Sequence, residues 1–331
     1  MCGLFGFVNY GKPLSSSVLS ILCNSLAVES ETRGSHATGV SFVKDNQLCV
    51  LKKPKKASSL EIKVPDATSA LIGHTRHTTQ GSEKQNYNNH PFQGKIRTQE
   101  FSLAHNGVIA NDSDLKKQLK LPKTNIETDS YVCVQLLESQ NKLNFNSIKY
   151  MAEKISGSFT LTLLDCTNNL YIVKGDSPLS ILNFRQLGLL VYASTDSILW
   201  RAITETHLMA AVKKVIGGIG SGGIEEIELK EGDILKVSRA GETEKSEFKY
   251  RSGEGFFDWR TYGSRKYSEV MEDNLCSIFD MGSITGIDEE SIREMYEEGY
   301  TLSEIADILS SIYYKESLEG DIGGFGRYRN R

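Results

Sequence analysis

Residues 1–10 read MCGLFGFVNY, a short apolar run that directly follows a cysteine. A run of this length, bounded by turn residues, predicts a buried β-strand. The strand would hold Cys2 at its end, beside a cleft. This stretch therefore supplies both the first element of the fold and the first candidate for chemistry.

Cys2 would combine a nucleophile and a base in one residue once Met1 has been removed, as happens when the second side chain is small. Its free α-amino group would have an unperturbed pKa of roughly 7.7 to 8.0. Near neutral pH this amine can accept the thiol proton directly or through a water. Many chains begin Met-Cys by chance, so the assignment depends on the motifs that follow.

Short apolar runs alternate with turn residues from residue 2 to about residue 240, a pattern typical of sheets with buried strands. The runs are LFGFVNY, ATGVSFV, LCVLKK, SALIGHT, FSLAHNGVI, SFTLTLLD, LYIVKG, LLVYAS and GDILKVS. Helical spacing of apolar residues predicts helices over residues 16–30 and 129–140. We therefore expect helices layered on sheets.

Composition excludes several classes of function. A net charge of -4 gives no global attraction to nucleic acid or to an anionic membrane. No window approaches the roughly 18 consecutive apolar residues of a membrane span, and no basic segment precedes the first apolar run. The six cysteines are scattered singly, without zinc-site spacing. We expect a cytoplasmic protein without a cofactor.

Six motifs together resemble the class II glutamine amidotransferases, which are N-terminal-nucleophile hydrolases. In chain order they are MCGLFGF, RGSHATG, GHTRHTTQG, NNHPF, AHNGVIAN and ETDS. The resemblance covers residues 2–240. It implies an α+β fold, a four-layer αββα sandwich of two antiparallel sheets between helix layers. It also implies that Cys2 attacks the side-chain amide of glutamine, that a γ-glutamyl thioester forms, and that ammonia and then glutamate leave.

Asn106 and Gly107 in AHNGVIAN match the family's oxyanion hole. The Asn106 amide and the backbone N–H of Gly107 would stabilise the tetrahedral intermediate, and such a donor is typically worth about 10²- to 10³-fold in rate. An Asn-Gly dipeptide also forms type I′ hairpin turns, which is the structural alternative. The dipeptide lies within AHNGVIAN, and the same chain begins with MCG, which together favour the oxyanion hole.

Arg76 and Asp129 match the family's contacts to the α-carboxylate and the α-ammonium group of glutamine. Both charges lose water on binding and need charged partners. The structural alternatives are a surface position for Arg76 and a helix N-cap for Asp129. Asp129 could also serve as both ligand and cap.

Thr79 and His77 are two further predicted substrate-binding positions, and the second departs from the family pattern. Thr79 matches the usual threonine of the motif. His77 stands where the family often has another aromatic residue, and Gln80 stands where it has a histidine. These changes bear on glutamine affinity and on coupling to an acceptor more than on the chemistry.

Three residues are predicted to support the site. Arg33 matches an arginine that holds the N-terminal strand and neighbouring carbonyls, and Gly3 would let the backbone approach the ligand closely. His90 belongs to a group of histidines within the motifs. Their spacing lacks an HExxH-like pattern, so we expect no metal and read them as neutral loop anchors.

The composition changes after residue 240. Residues 241–285 are polar, rich in glycine and aromatic residues, and predict an irregular linker. Residues 286–318 predict two amphipathic helices that resemble a helix-turn-helix, and residues 319–331 a disordered basic tail. The helices lack a basic recognition helix, so we favour partner docking or packing over nucleic-acid binding, and a homo-oligomer stays open.

The fewer than 100 residues after position 240 are too short for the acceptor domains to which these glutaminases are usually fused. We therefore expect ammonia to pass to an acceptor on a separate synthase subunit. Two alternatives keep the fold and change the function. One is a hydrolase of another γ-glutamyl amide, and the other is a scaffold or DNA-associated protein that acts through its C-terminal helices.

Overall fold

The computed structural model describes residues 2–11, 14–206, 224–251, 287–297, 305 and 308–309. The chain divides into two compact units, Met1–Glu254 and Gly255–Arg331. The first unit holds all of the motifs on which the functional prediction depends.

The first unit contains two antiparallel sheets. Its described strands are β1 (Gly3–Asn9), β2 (Ala37–Lys44), β3 (Gln47–Lys53), β4 (Ala70–Arg76), β5 (Phe92–Ile96), β6 (Gln99–Ile109), β7 (Gly157–Asp165), β8 (Leu170–Lys174), β9 (Ser180–Phe184), β10 (Leu189–Ala193), β11 (Glu225–Glu226), β12 (Asp233–Val237) and β13 (Thr243–Glu247). One sheet has the order β11-β9-β10-β1-β4-β2-β3, and the other has the order β13-β12-β8-β7-β6-β5. Thus β1 lies in the middle of the first sheet, next to β4.

Helices flank these sheets. They are α1 (Ser16–Glu29), α2 (Asp112–Gln118), α3 (Tyr131–Glu138), α4 (Phe145–Lys154) and α5 (Asp196–Glu205). The second unit is separate, and its described part contains α6 (Glu289–Glu297). The helix predicted over residues 16–30 and the one predicted over residues 129–140 correspond to α1 and α3. Ser15 caps α1, because its hydroxyl accepts a hydrogen bond from the Val18 N–H at 3.4 Å.

Alternate residues of β1 face two different apolar cores, because successive side chains of a strand point to opposite sides of the sheet. Phe5 and Phe7 join the core that also contains residues of α1 and α5. Leu4 and Val8 join a second core with residues of β4, β7 and β8. This second core lies between the two sheets.

A third core contains residues of the six-stranded sheet, such as Leu103 and Leu161, together with Val132 of α3 and Ile148 of α4. Three successive cores define four layers, in the order helices, sheet, sheet, helices. The predicted αββα sandwich is confirmed.

The second sheet extends past residue 240, where the sequence analysis ended the domain. Strand β13 turns back from β12 and pairs with it, so part of the predicted linker belongs to the sandwich. In the second unit, Ile292 of α6 packs with Ile305 and Leu309. The predicted tail, residues 319–331, and most of the second predicted helix lie outside the described residues.

In the part of the chain that the structure describes, no helix is both long and apolar enough to cross a membrane. The cytoplasmic location stays a prediction.

Replacing Phe7 with alanine should lower the free energy of unfolding by about 3 to 5 kcal/mol, since the side chain is fully buried and alanine leaves a cavity. Urea unfolding followed by circular dichroism measures this. Ile21→Ala is the control, because Ile21 on α1 is 48% exposed and should change stability by less than about 0.5 kcal/mol. Equal effects of the two substitutions would contradict the assigned core.

Candidate active site

Cys2 lies at the start of β1, beside the end of β4. Gly3 pairs with Thr75, so the next position along each strand brings Cys2 close to Arg76 and His77. The His77 N–H donates to Cys2 Sγ at 3.4 Å, and the thiol reaches the His77 carbonyl at 3.5 Å. Arg33 Nε donates to the Cys2 carbonyl at 3.0 Å, which agrees with the supporting role predicted for it. The half-buried Cys2 side chain is therefore held by backbone atoms of His77, directly after β4.

Burial raises the pKa of the Cys2 thiol above its ordinary value. The hydrogen bond from His77 and the positive charges of the N-terminal ammonium and of Arg76 lower this pKa, while the negative charge of Asp129 raises it, and burial outweighs the three lowering effects. The thiol is thus protonated at neutral pH and needs a base before it can attack. Arg76 and Asp129 are thus close enough to Cys2 to influence its thiol.

Arg76 is buried, with 2% of its surface exposed, so the alternative of a surface arginine is wrong. Its Nη1 donates to Asn89 Oδ1 at 2.8 Å, and its Nη2 donates to the carbonyls of Gln80 at 2.5 Å and Gly81 at 3.1 Å. A guanidinium carries five N–H donors, so two of those of Arg76 have no partner among the described residues. Burial lowers the pKa of Arg76, but a guanidinium stays charged at neutral pH.

Asn106 and Gly107 lie within β6, which pairs with β7 both before and after these two residues in the sequence. The alternative of a hairpin turn is therefore wrong. Asn106 is 1% exposed, yet neither atom of its side-chain amide has a hydrogen-bond partner among the described residues. An unpaired buried amide costs about 1 to 3 kcal/mol, so its retention suits a group that waits for a ligand.

The backbone at Gly107 has φ +135°, a conformation that side chains rarely allow. A Cβ added there would lie 2.0 Å from the Ser158 carbonyl oxygen. Only glycine fits at this place, which sets the orientation of the peptide between Asn106 and Gly107. The unpaired amide and this peptide N–H are the two donors of the predicted oxyanion hole.

A hydrogen bond between the sheets fixes Asn106 relative to the end of β4. His74 Nε2 lies 3.0 Å from the His105 carbonyl oxygen, which can only accept, so His74 donates. Burial lowers the pKa of His74 to about 3, which keeps the ring neutral with its proton on Nε2. The bond joins β4 to β6 one residue before Asn106.

Asp129 does not cap α3, contrary to one alternative. Its Oδ2 accepts from the Ile109 N–H at 2.6 Å, and its Oδ1 accepts from the Ser130 hydroxyl at 3.2 Å. Ser130 occupies the position before the helix and makes no capping bond. Ser130 Oγ also lies 2.7 Å from His105 Nδ1. The carboxylate is therefore held in place at the end of β6.

The other predicted residues take different positions. Gly3 packs against Thr75 and Ser30, where an added Cβ would lie 2.5 Å from Thr75 Oγ1. The approach of its backbone to a ligand stays a prediction. His90 is buried and stacks on His74, with ring centroids 4.2 Å apart.

The loop that follows β4 carries the remaining two predicted residues. Thr79 is exposed, and the His77 ring stacks on His36 at a centroid distance of 5.0 Å. His36 Nδ1 accepts the Thr78 N–H at 3.0 Å and so supports the loop that contacts Cys2. Within the described ranges, histidine, cysteine and carboxylate side chains form no group of three or more that could hold a metal.

Residues 74–201 match the family described as glutamine amidotransferase domain. The chain carries a glutamine amidotransferase domain. The matched segment includes Arg76, Asn106, Gly107 and Asp129, and Cys2 precedes it on the strand that pairs with β4.

Curated relatives of this domain include a glutamine--fructose-6-phosphate aminotransferase from Bacillus cereus, 33% identical over 189 residues, which are 55% of this chain and 30% of that protein. The protein of the same name from Staphylococcus aureus is 32% identical, over 54% of this chain and 30% of that protein. This chain thus spans less than a third of the length of these relatives.

Two solved structures share the fold of the amidotransferase domain. One is the glutamine phosphoribosylpyrophosphate amidotransferase from B. subtilis, with TM-score 0.54 and 18% identity, covering 76% of this chain and 50% of that one. The other is an allosteric regulatory enzyme of purine biosynthesis, with TM-score 0.56 and the same identity and coverage. At 18% identity these two likenesses show the fold alone, and it is the fold that the motifs predicted.

Proposed function

We propose that this chain hydrolyses L-glutamine to glutamate and ammonia, with Cys2 as the nucleophile. The observation that carries the proposal is the buried, unpaired amide of Asn106 beside Gly107. The hydrogen bond between His105 and His74 ties this part of β6 to β4, which ends beside Cys2. A buried amide without a hydrogen-bond partner destabilises the folded protein, but the same amide can donate to an oxyanion and stabilise it.

The first half of the reaction forms a thioester. After removal of Met1, the α-amine of Cys2 takes the thiol proton, and the sulfur attacks the side-chain carbonyl carbon of glutamine. Asn106 Nδ2 and the Gly107 N–H donate to the oxyanion. When the intermediate collapses, the C–N bond breaks, the α-ammonium returns its proton to the leaving nitrogen, and ammonia departs.

The second half consumes water. The neutral α-amine takes a proton from a water molecule, which attacks the thioester carbonyl carbon, and the same two donors stabilise the second oxyanion. Collapse breaks the C–S bond and returns the proton to sulfur. Glutamate leaves, and Cys2 is regenerated with its thiol and neutral amine.

The α-amino-acid end of glutamine would bind between Arg76 and Asp129. Arg76 has two free N–H donors for the α-carboxylate, and Asp129 supplies a fixed negative charge for the α-ammonium group. Both groups influence the Cys2 thiol, which agrees with their binding one small substrate. A coupled assay of glutamate release, with D-glutamine and γ-glutamyl p-nitroanilide as comparison substrates, tests the proposal. Release from L-glutamine at no higher rate than from these two would contradict it.

Replacing Asp129 with asparagine should raise KM for L-glutamine roughly 10- to 100-fold, or about 1.4 to 2.8 kcal/mol, because the charge pair to the α-ammonium is lost. Asparagine keeps an oxygen for the Ile109 N–H, so the fold should persist. Steady-state kinetics measures the change. Asp114→Asn removes an equal charge from the exposed surface of α2 and is the control; a matching KM increase there would contradict the direct contact.

The acceptor of the ammonia would lie outside the amidotransferase domain. The Bacillus cereus relative has fructose 6-phosphate in its name as well as glutamine, and this chain matches 30% of it. We propose that this domain delivers ammonia to an acceptor held by another polypeptide. Copurification of such a synthase, and a rise in glutaminase activity when its acceptor substrate is added, would support this.

A further inference from the structure

Gln80 contacts both predicted binding groups for the glutamine head group. Its carbonyl oxygen accepts from Arg76 Nη2 at 2.5 Å, and its side-chain Oε1 accepts from the Asp129 backbone N–H at 2.9 Å. The two bonds leave from opposite ends of one residue. Gln80 therefore connects the guanidinium at the end of β4 to the carboxylate at the start of α3.

The remaining contacts hold each end of this connection in place. On one side, Gly81 accepts a second bond from Arg76, and Asn89 accepts a third. On the other side, the Asp129 carboxylate is oriented by the Ile109 N–H and by the hydroxyl of Ser130. These bonds orient the charged groups, whereas the bond from Asp129 to Gln80 directly joins the segment that carries one group to the segment that carries the other.

A neighbouring contact joins the same two segments and limits how far they can separate. Asn88 is fully buried, donates to the Ser82 carbonyl at 3.1 Å, and accepts from the Glu127 N–H at 2.9 Å. The fold would therefore survive the loss of the Gln80 side chain, and the effect of its loss would be local. Substitutions of Gln80 can therefore be studied in a folded protein.

We propose that Gln80 is a specificity-determining positioning residue, which sets the spacing of Arg76 and Asp129 to fit an L-α-amino-acid head group. This inference rests on the proposed glutaminase function. The α-carboxylate and α-ammonium share one carbon atom, so both charge contacts form together only if their partners are held at a fixed separation. Gln80 stands where the family has a histidine, so the sequence alone did not indicate this role.

Gln80→Met is the direct test, since methionine has similar length but offers no oxygen to the Asp129 N–H. KM for L-glutamine should rise about 3- to 10-fold, as expected for one lost hydrogen bond, with kcat within about twofold. The preference for L-glutamine over glutaramate, which lacks the α-amino group, should fall by a similar factor. Gln80→Glu keeps an acceptor oxygen and should restore part of the preference. Gln93→Met, at an exposed position of β5, is the matched control and should change neither KM nor the preference.

An unchanged KM and preference in Gln80→Met would overturn the inference while leaving the proposed function intact. A fall in kcat of Gln80→Met together with a lower midpoint of unfolding would also overturn the inference, because that result assigns Gln80 a merely structural role. Calorimetry with L-glutamate separates the two claims if the wild type fails to hydrolyse glutamine. Glutamate binding weakened 3- to 10-fold by Gln80→Met would then support the inference, and no binding to the wild type would overturn it.

Discussion

Replacing Cys2 with alanine should reduce glutamate release from L-glutamine by at least about 10³-fold, because the covalent path loses its nucleophile. The fold should be unaffected, since the hydrogen bonds that join the thiol to described residues are two weak contacts with the backbone of His77. The free energy of unfolding should stay within about 0.5 kcal/mol of the wild type. A coupled assay with glutamate dehydrogenase, together with urea unfolding, measures both quantities.

Cys49→Ala is the matched control for this substitution. Cys49 is also a half-buried free cysteine, but it lies on β3, where its thiol contacts the Gln47 carbonyl. Its loss should leave kcat unchanged. Full activity in Cys2→Ala would remove the basis of the proposed function, and loss of activity in both variants would indicate a general effect of removing thiols.

Replacing Asn106 with alanine should lower kcat by about 10²- to 10³-fold, with a smaller effect on KM, because the amide acts on the oxyanion and not on the substrate ground state. The same substitution should not destabilise the protein through lost hydrogen bonds, since the Asn106 amide has no partner in the described structure. Single-turnover rates and thermal unfolding measure the two effects separately. A large loss of rate with unchanged stability is the expected combination.

Asn111→Ala gives the opposite combination and serves as the control. The Asn111 side chain donates to the Lys154 carbonyl and accepts from the Ser156 N–H, both at 2.9 Å. Removing it should cost about 1 to 3 kcal/mol of stability and leave kcat unchanged. If Asn106→Ala lost stability instead of rate, Asn106 would be structural and the oxyanion hole would have to be sought elsewhere.

Periodicity predicted much of the sandwich because its strands carry strong local signals. The central strands β1, β4, β6 and β7 are long and apolar, and each was found where the sequence indicated. Helix α4 was not predicted, although Asn144 and Ser147 form a reciprocal capping box at its start. That box has Ser147 at the third position of the helix, where a capping box usually has Glu or Gln, so the sequence did not resemble a helix start. The short strands β5, β11 and β13 were missed because they carry too few apolar residues. Strand β9 was missed although it contains Ile181, Leu182 and Phe184.

The site was predictable at the level of motifs, whereas its hydrogen bonds were not. The sequence could name Arg76 and Asp129 but could not show that Gln80 joins them, because Gln80 and Asp129 lie 49 positions apart. It also left a hairpin turn open at Asn106, and only the pairing of β6 with β7 excludes that. Such contacts arise from tertiary packing, which local patterns do not encode.

The most direct test of the account is the intact mass of the untagged protein after treatment with 6-diazo-5-oxo-L-norleucine, followed by peptide mapping. This glutamine analogue alkylates a cysteine that can bind and attack glutamine. The account predicts one adduct, located on Cys2, in a protein from which Met1 is absent. An unmodified Cys2 with Met1 retained, or an adduct on another cysteine, would contradict the claim that Cys2 is the nucleophile of this site.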